Sequence, residues 1–267
     1  MASVAVAARG PSLFTSVVVI AKQRLLKVLR TPALFWTYTM QGVLFLVIFR
    51  YIFGGAIAAG ELGYTDFVIP GILATGLIWQ GMGGAVGITE DVAQGLFDRL
   101  GSLPIPRSAV LAGRALADTA MQLWSLIVMT IVSFLVGFRV HDGLANALIA
   151  AALIVVFVFA FEWVFITMGL YAGNAQAAQG ISMILVPFTF VSSAYVPVES
   201  MPGWLQAVAE NQPVTFMTDA VRTLTGGASA EVFLGHPASY FVLRSVIWSA
   251  VIVLVFGTIG VARYRRG

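Results

Sequence analysis

Three ionisable side chains interrupt long apolar stretches: Arg114, Asp118 and Glu162. A charge in mid-bilayer costs roughly 2.5–3.5 kcal/mol on insertion scales, so such residues usually face a partner or water. Arg114 and Asp118 are four residues apart and can pair on one helix face. Glu162 lies deeper and has no partner nearby in sequence, which suits a substrate pathway or a contact between subunits. Other chemistry is missing. Lys22 and Lys27 are the only lysines, and no Gly-rich phosphate loop precedes either, so the chain cannot be a P-loop ATPase. Neither HExxH nor GxSxG occurs. His141 and His236 are far apart and form no metal motif, and without cysteine there is no disulfide, thiolate chemistry or Cys-ligated zinc.

The elements that carry these charges must sit in lipid. Of 267 residues, 59% are hydrophobic and only 10% charged, with a mean hydropathy of +0.93. A soluble domain carries about 25% charged residues. The apolar runs are long and uninterrupted, unlike the alternating segments of a barrel, so an all-α membrane protein is expected. No signal peptide is convincing, because Lys22-Gln23-Arg24 rather than a small-residue cleavage site follows residues 12–21. The net charge of +3 does not imply nucleic acid.

Hydropathy marks six spans, at about 33–53, 67–88, 110–137, 144–170, 177–196 and 240–262. The fourth and fifth are divided at Gly173-Asn174-Ala175-Gln176, the polar, flexible point in an uncharged stretch from Trp163 to Val198. Six spans place both termini on one side with Arg9, Lys22, Arg24, Lys27, Arg30, Arg99, Arg107, Arg114, Arg263, Arg265 and Arg266. Arg50, Arg139, Arg222 and Arg244 fall on the other, together with Glu61, Asp66, Asp142, Glu199, Glu210, Asp219 and Glu231. Eleven basic residues against four fit both termini in the cytoplasm by the positive-inside rule. Two regions result: residues 1–32, a tail and amphipathic helix, and residues 33–267, the six-helix body.

Three segments are not spans. Before Pro32, Phe14, Val18, Ala21, Leu25 and Val28 share a helical face while Lys22, Lys27 and Arg30 lie elsewhere. That describes either a basic interfacial helix or a plain basic flank of the first span. The first cytoplasmic loop carries an apolar ridge, Val92, Leu96 and Leu100, with Glu90 and Asp91 at an expected helix start and Pro104 and Pro106 as stops. It reads as a docking helix for a cytoplasmic protein or as a bare surface helix. On the outer side, Pro202-Gly203-Trp204 starts one short helix, Asn211-Gln212-Pro213 breaks it, and Phe216, Ala220 and Leu224 mark a second, ending at Gly226-Gly227. The pair would rest on or dip into the outer leaflet, unless this is an ordinary loop. Gly83 and Gly87 form a small-xxx-small pair in the second span.

One pattern is specific: Glu90-Asp91, Gly95, Asp98-Arg99-Leu100, Ser102-Leu103-Pro104-Ile105-Pro106-Arg107, Gly113-Arg114 and Asp118. It resembles the ABC-2 type permeases, in particular their daunorubicin-resistance subfamily. Pro202-Gly203-Trp204, Asn211-Gln212-Pro213 and Gly137-Phe138-Arg139 strengthen the likeness, which covers nearly the whole chain. The resemblance implies an exporter in a bacterial cell membrane, with two permease subunits and two separate P-loop ATPase subunits that hold ATP and Mg. This chain would bind no cofactor. Residues 90–100 would be the coupling helix (Glu90, Asp91, Val92, Gly95, Leu96, Asp98, Arg99, Leu100). The amphipathic N-terminal helix would also touch the ATPase, and the outer helices would close the exit as a gate built on Pro202, Gly203, Trp204, Asn211 and Pro213. The cargo would be a lipophilic drug or lipid-like molecule, and the second permease a copy or a related chain. The alternative is a carrier or channel driven by an ion gradient, which predicts midplane carboxylates and often inverted repeats. Glu162 is the one deep carboxylate, and the halves show no repeat. An enzyme acting on membrane lipids would need clustered His, Asp or Glu at an interface.

Overall fold

A computed structural model describes residues 12–53, 63–101 and 105–266. Expectations placed on Arg9, Glu61 and Ser102 to Pro104 lie outside these residues, as do the side chains of Val28 and Asp98. Every regular element among the described residues is helical.

Ser12 starts α1 (Leu13–Leu29), its hydroxyl accepting the Thr15 backbone N–H at 3.2 Å. Pro32 ends that run and supplies the first residue of α2 (Pro32–Ile48), where its missing N–H costs nothing. The helix continues as a π-helical segment, Phe49–Phe53. Next come α3 (Tyr64–Ala93), the short α4 (Leu96–Gly101), α5 (Arg107–Leu135) and α6 (Gly143–Tyr171). Then α7 (Ala175–Ser182) and α8 (Leu185–Phe190) lead to α9 (Gly203–Ala209), α10 (Pro213–Gly226), α11 (Ala228–Leu234) and the last helix, α12 (Ala238–Arg266).

Among the described residues, α3, α5, α6 and α12 are the four helices long and apolar enough to cross a membrane. The 30 residues of α3 extend about 45 Å at 1.5 Å each, more than the roughly 30 Å hydrocarbon layer. Large apolar side chains stay exposed along α5, α6 and α12, among them Leu135, Leu148 and Leu254. Such a surface suits lipid rather than water. By contrast α3 is enclosed along its length and forms the axis of the bundle.

The bundle has two ends. One, here called proximal, gathers α1, α4, the end of α3, the start of α5 and the end of α12. Tyr264 of α12 donates to the Phe97 carbonyl of α4 at 3.2 Å, and Arg107 of α5 donates to the Tyr264 carbonyl at 2.9 Å. At the distal end the α5–α6 turn meets α3 and α10. The His141 N–H donates to the Thr225 carbonyl at 2.8 Å, and Gly137 takes a φ of +103° that a side chain would resist. Arg50 reaches the Val136 carbonyl there at 3.3 Å, so α2 and its π segment also run end to end.

Three sequence expectations are corrected. Residues 90–100 are not one helix. Nothing between Ile88 and Ala93 interrupts the ladder of α3, which carries on through Glu90, Asp91 and Val92 and stops at Gly95, whose φ is +67°. The expected ridge is therefore split, with Val92 on α3 and Leu96 and Leu100 on α4. The fifth apolar stretch is likewise broken. Pro187 lacks an N–H and its ring disfavours the helical bond to the Met183 carbonyl, which instead accepts from Val186 at 3.1 Å. Residues 191–197 are irregular.

The N-terminal helix packs on α5 through a face other than the one expected to meet lipid. Ser16 and Val17 are buried and Ile20 packs on α5, where Gly113 lets the two helices meet; a Cβ there would stand 2.9 Å from the Val17 carbonyl oxygen. Phe14 and Val18 point outward. On the distal side there are three short helices rather than two, and α10 does not lie at the surface. All its residues are buried among α3, α6 and α12.

Candidate functional site

Four charged side chains from three helices meet at the proximal end. Arg24 of α1 donates to Asp91 of α3 at 3.1 Å and to Asp118 of α5 at 3.2 Å. Arg114 of α5 donates to Asp118 at 2.8 Å and pairs with Asp91 as well. Each arginine therefore bridges both aspartates. The planar guanidinium fork permits this, where an ammonium would serve as a single point. The expected Arg114–Asp118 pair is present and belongs to this larger square. Asp91, expected on an exposed docking helix, is instead buried in it.

A glycine face on α3 makes room for these groups. Arg114 Nη2 donates to the Gly84 carbonyl at 3.2 Å, and a Cβ on Gly87 would come within 2.7 Å of the same nitrogen. Glu162 of α6 lies against this face too, with its Oε2 3.2 Å from where a Gly84 Cβ would stand. Its partner is Gln122 of α5, whose amide donates to Glu162 Oε1. Gly83, one of the expected small pair, is exposed. Sequence reasoning misses Arg24 and Gln122 as members of this site. Gln122 was within reach, since 114, 118 and 122 recur every four residues on one helix face. The pairing of Arg24 was not, because it depends on which face of α1 docks.

Beside the square lies a cavity of about 490 Å³, bordered by α1, α2, α3, α5, α6 and α7. Gln80, Gln122 and Glu162 line it, and Trp79 stands at its wall. Trp79 joins an aromatic cluster: Phe45 sits edge-on at 4.5 Å and Phe190 at 5.6 Å.

The expected coupling residues divide by position. Glu90, Asp91 and Val92 end α3, Gly95 is the break, and Leu96, Asp98, Arg99 and Leu100 lie in α4. In α4, Phe97 points inward and meets Tyr264 edge-on at 4.9 Å, while Leu96 is 39% exposed. Thus α4 is anchored to α12 by one residue and presents its neighbour outward.

At the distal end, Pro202 and Gly203 open α9, whose Trp204 is 74% exposed. Asn211 closes back on the Ala207 carbonyl at 3.0 Å, and Pro213 opens α10. Sequence reasoning also misses Arg222 as a structural centre. It pairs with Asp219, donates to the Phe67 carbonyl at 3.0 and 2.8 Å and to the Ser193 carbonyl at 2.9 Å, and lies 3.9 Å above the Phe67 ring. A buried guanidinium with its donors engaged explains how so polar a helix is held inside.

The sequence profile of the ABC-2 type transporters matches residues 15–225. The chain belongs to that family. As an ABC-2 permease it is the membrane subunit of an ABC transporter, and ATP hydrolysis takes place on a separate ATPase subunit. Its relatives put the permease in the daunorubicin-resistance, DrrB-like group. It is 32% identical over 188 residues to a daunorubicin resistance ABC transporter permease, DrrB1, of Streptomyces coeruleorubidus, covering 70% of this chain and 66% of that one. A probable doxorubicin resistance permease, DrrC, of Mycobacterium tuberculosis is 26% identical over 226 residues, covering 84% and 79%. A putative transport permease, ycf38, of the alga Porphyra purpurea is 28% identical over 211 residues, covering 75% and 70%.

Proposed function

We propose that this permease exports a lipophilic drug or lipid-like molecule across a bacterial cell membrane. Two copies, or one copy and a related chain, would assemble with two P-loop ATPase subunits that bind ATP and Mg. In this reading α2, α3, α5, α6, the α7–α8 pair and α12 all cross the bilayer, with both termini and the proximal end in the cytosol. The face of α1 that carries Phe14 and Val18 would rest in the inner leaflet. Trp204 would sit at the outer headgroup level, with Pro202, Gly203, Asn211 and Pro213 shaping a gate at the exit.

The observation that carries the reading is the place of α4. It shows Leu96 to the outside and is tied by Phe97 to the end of α12. It also follows directly on the α3 turn whose Asp91 holds two arginines. A push on α4 would reach α12 through one contact, and α1 and α5 through the other. A ligand shifts a conformational equilibrium only by binding the two states differently. ATP-driven closure of the ATPases would supply that difference if α4 sits in a cleft on them.

The test is Leu96→Asp in the complex reconstituted in liposomes. The variant should reach the membrane and fold normally, yet lose substrate-stimulated ATPase activity. Full stimulation in this variant would remove α4 from the coupling path.

A further inference from the structure

The arginines described so far all have oxygen acceptors. Arg24 and Arg114 hold aspartates, Arg222 holds Asp219 and two carbonyls, and Arg50 and Arg107 each hold a carbonyl. Arg244 of α12 differs. Among the described residues no carboxylate lies within ion-pair distance of it, and none of its N–H groups meets an acceptor. Its guanidinium rests on aromatic faces instead, 3.5 Å from the centre of the Tyr240 ring and 5.5 Å from that of Phe216. Tyr240 is in turn stacked with His236 at 4.1 Å. A guanidinium over a ring face keeps its in-plane N–H fork available, and that fork can take a phosphate by two parallel bonds.

Lipid offers a phosphate at this depth. Arg244 is six residues past Ala238, the first residue of α12, so its Cα stands about 9 Å along the helix. Helical side chains lean back toward the helix start, as the contact with Tyr240 one turn earlier shows. Where α12 crosses the bilayer, the guanidinium then lies near a headgroup layer. Beside it Leu243, Val246 and Ile247 are exposed apolar residues that suit acyl chains.

The adjoining cavity narrows the choice of headgroup. Tyr240, Phe216 and His236 also border a distal cavity of about 310 Å³, which shares no lining residue with the one beside the charged square. Asp219 and Arg222 on its wall neutralise each other. Glu199 and Glu210, which also border it, are exposed and have no cation within ion-pair distance among the described residues. One unpaired cation thus stands close to two unpaired carboxylates. A headgroup with a phosphate alone is drawn by Arg244 and repelled by the glutamates. A headgroup that also carries an ammonium suits both, and the aromatic rings between favour its cation.

We propose that this distal cleft binds one phosphatidylethanolamine molecule, with its phosphate on Arg244 and its ammonium toward Glu199 and Glu210. The proposal goes beyond the exporter reading and needs only that α12 crosses the bilayer.

The test is native mass spectrometry of the full-length permease in detergent, titrated with dioleoyl phosphatidylethanolamine or dioleoyl phosphatidylglycerol. The first phosphatidylethanolamine should bind clearly more tightly than the first phosphatidylglycerol. Arg244→Gln should weaken phosphatidylethanolamine binding about tenfold or more, as expected for loss of a charge-assisted pair of hydrogen bonds. Arg244→Lys restores the charge without the fork and should recover part of that affinity, which a misfolded protein would not do. Glu199→Gln combined with Glu210→Gln should erase the preference between the two lipids. Equal affinities for both lipids in the wild type, or an unchanged affinity in Arg244→Gln, overturns the site. Soluble glycerophosphoethanolamine should compete only at far higher concentration. Competition at concentrations equal to the lipid would make the ligand a free phosphoester and overturn the lipid assignment. None of these readings involves the ATPase, so the site can fail while the exporter reading stands, and the reverse.

Discussion

Asp91 and Arg114 join the last turn of α3 to the first half of α5 through a buried ion pair. Neither carries the contact alone, because Arg24 reaches the same aspartate and Asp118 holds both arginines. The three helices are thereby fastened at one point near the loop that α4 occupies. Arg114→Ala would leave two buried carboxylates with one cation. Breaking a buried pair in this way costs about 3–5 kcal/mol, so the purified protein should unfold at a clearly lower temperature. Arg114→Lys should recover part of the loss, since it restores the charge without the fork. A thermal scan of the three proteins in one detergent decides it, and an unchanged midpoint for Arg114→Ala would refute the structural role.

The contact of α4 with α12 has two separable parts. Tyr264→Phe keeps the ring on Phe97 and removes the hydroxyl that donates to its carbonyl. Phe97→Ala removes the ring contact as well. The first change should cost about 1 kcal/mol and the second about 3–5 kcal/mol. If α4 transmits force, substrate-stimulated ATPase activity should fall far more in Phe97→Ala than in Tyr264→Phe. Equal activities in the two variants would mean that the ring contact transmits nothing.

Gly113 sets the closeness of α1 to α5. Gly113→Val would drive side-chain atoms into Ile20 and the Val17 carbonyl, whose nearest atoms already stand 2.9 Å from a single added Cβ. Overpacking of this kind costs about 1–3 kcal/mol, and α1 can relieve it by lifting away. A cysteine pair placed across the α1–α5 seam should then crosslink more slowly than in the unsubstituted background, and an unchanged rate would show that Gly113 does not set this spacing.

At the distal end, Asp219 and Arg222 should behave as a unit. Asp219→Asn leaves a buried guanidinium without its counter-ion, and Arg222→Gln leaves a buried carboxylate without its own. Each should destabilise by several kcal/mol, while the double variant should be milder than the sum, with an interaction of about 0.5–3 kcal/mol. Strict additivity in urea unfolding would show that the pair is incidental.

Much of this fold was legible because lipid makes simple demands. Long apolar runs had to be helices, and the expected spans at 67–88, 110–137, 144–170 and 240–262 fall inside or within two residues of α3, α5, α6 and α12. The Arg114–Asp118 pair followed from spacing alone. What stayed hidden was whatever depends on tertiary docking. Arg24 looked like one more basic residue of a membrane flank until α1 turned its Ser16–Val17 face to α5. The burial of α10 could not be read from its polar composition, because the groups that satisfy Arg222 come from residues 67 and 193. The break at Gly95 was visible as a residue but not as a boundary, since Val92, Leu96 and Leu100 mimic a continuous helix.

Pro187 gives the seventh and eighth helices a joint. Because the regular bond to Met183 is replaced by a tighter turn, bending there disturbs fewer ladder bonds than it would in an unbroken helix. The half that carries Gln179 borders the polar cavity, and the half that carries Thr189 bonds to Trp79 at 3.0 Å. The α7 half packs on α3 and α6, and the α8 half is tied to α3 through Trp79. A bend at Pro187 would change the width of the chamber beside it while the packed helices keep their places.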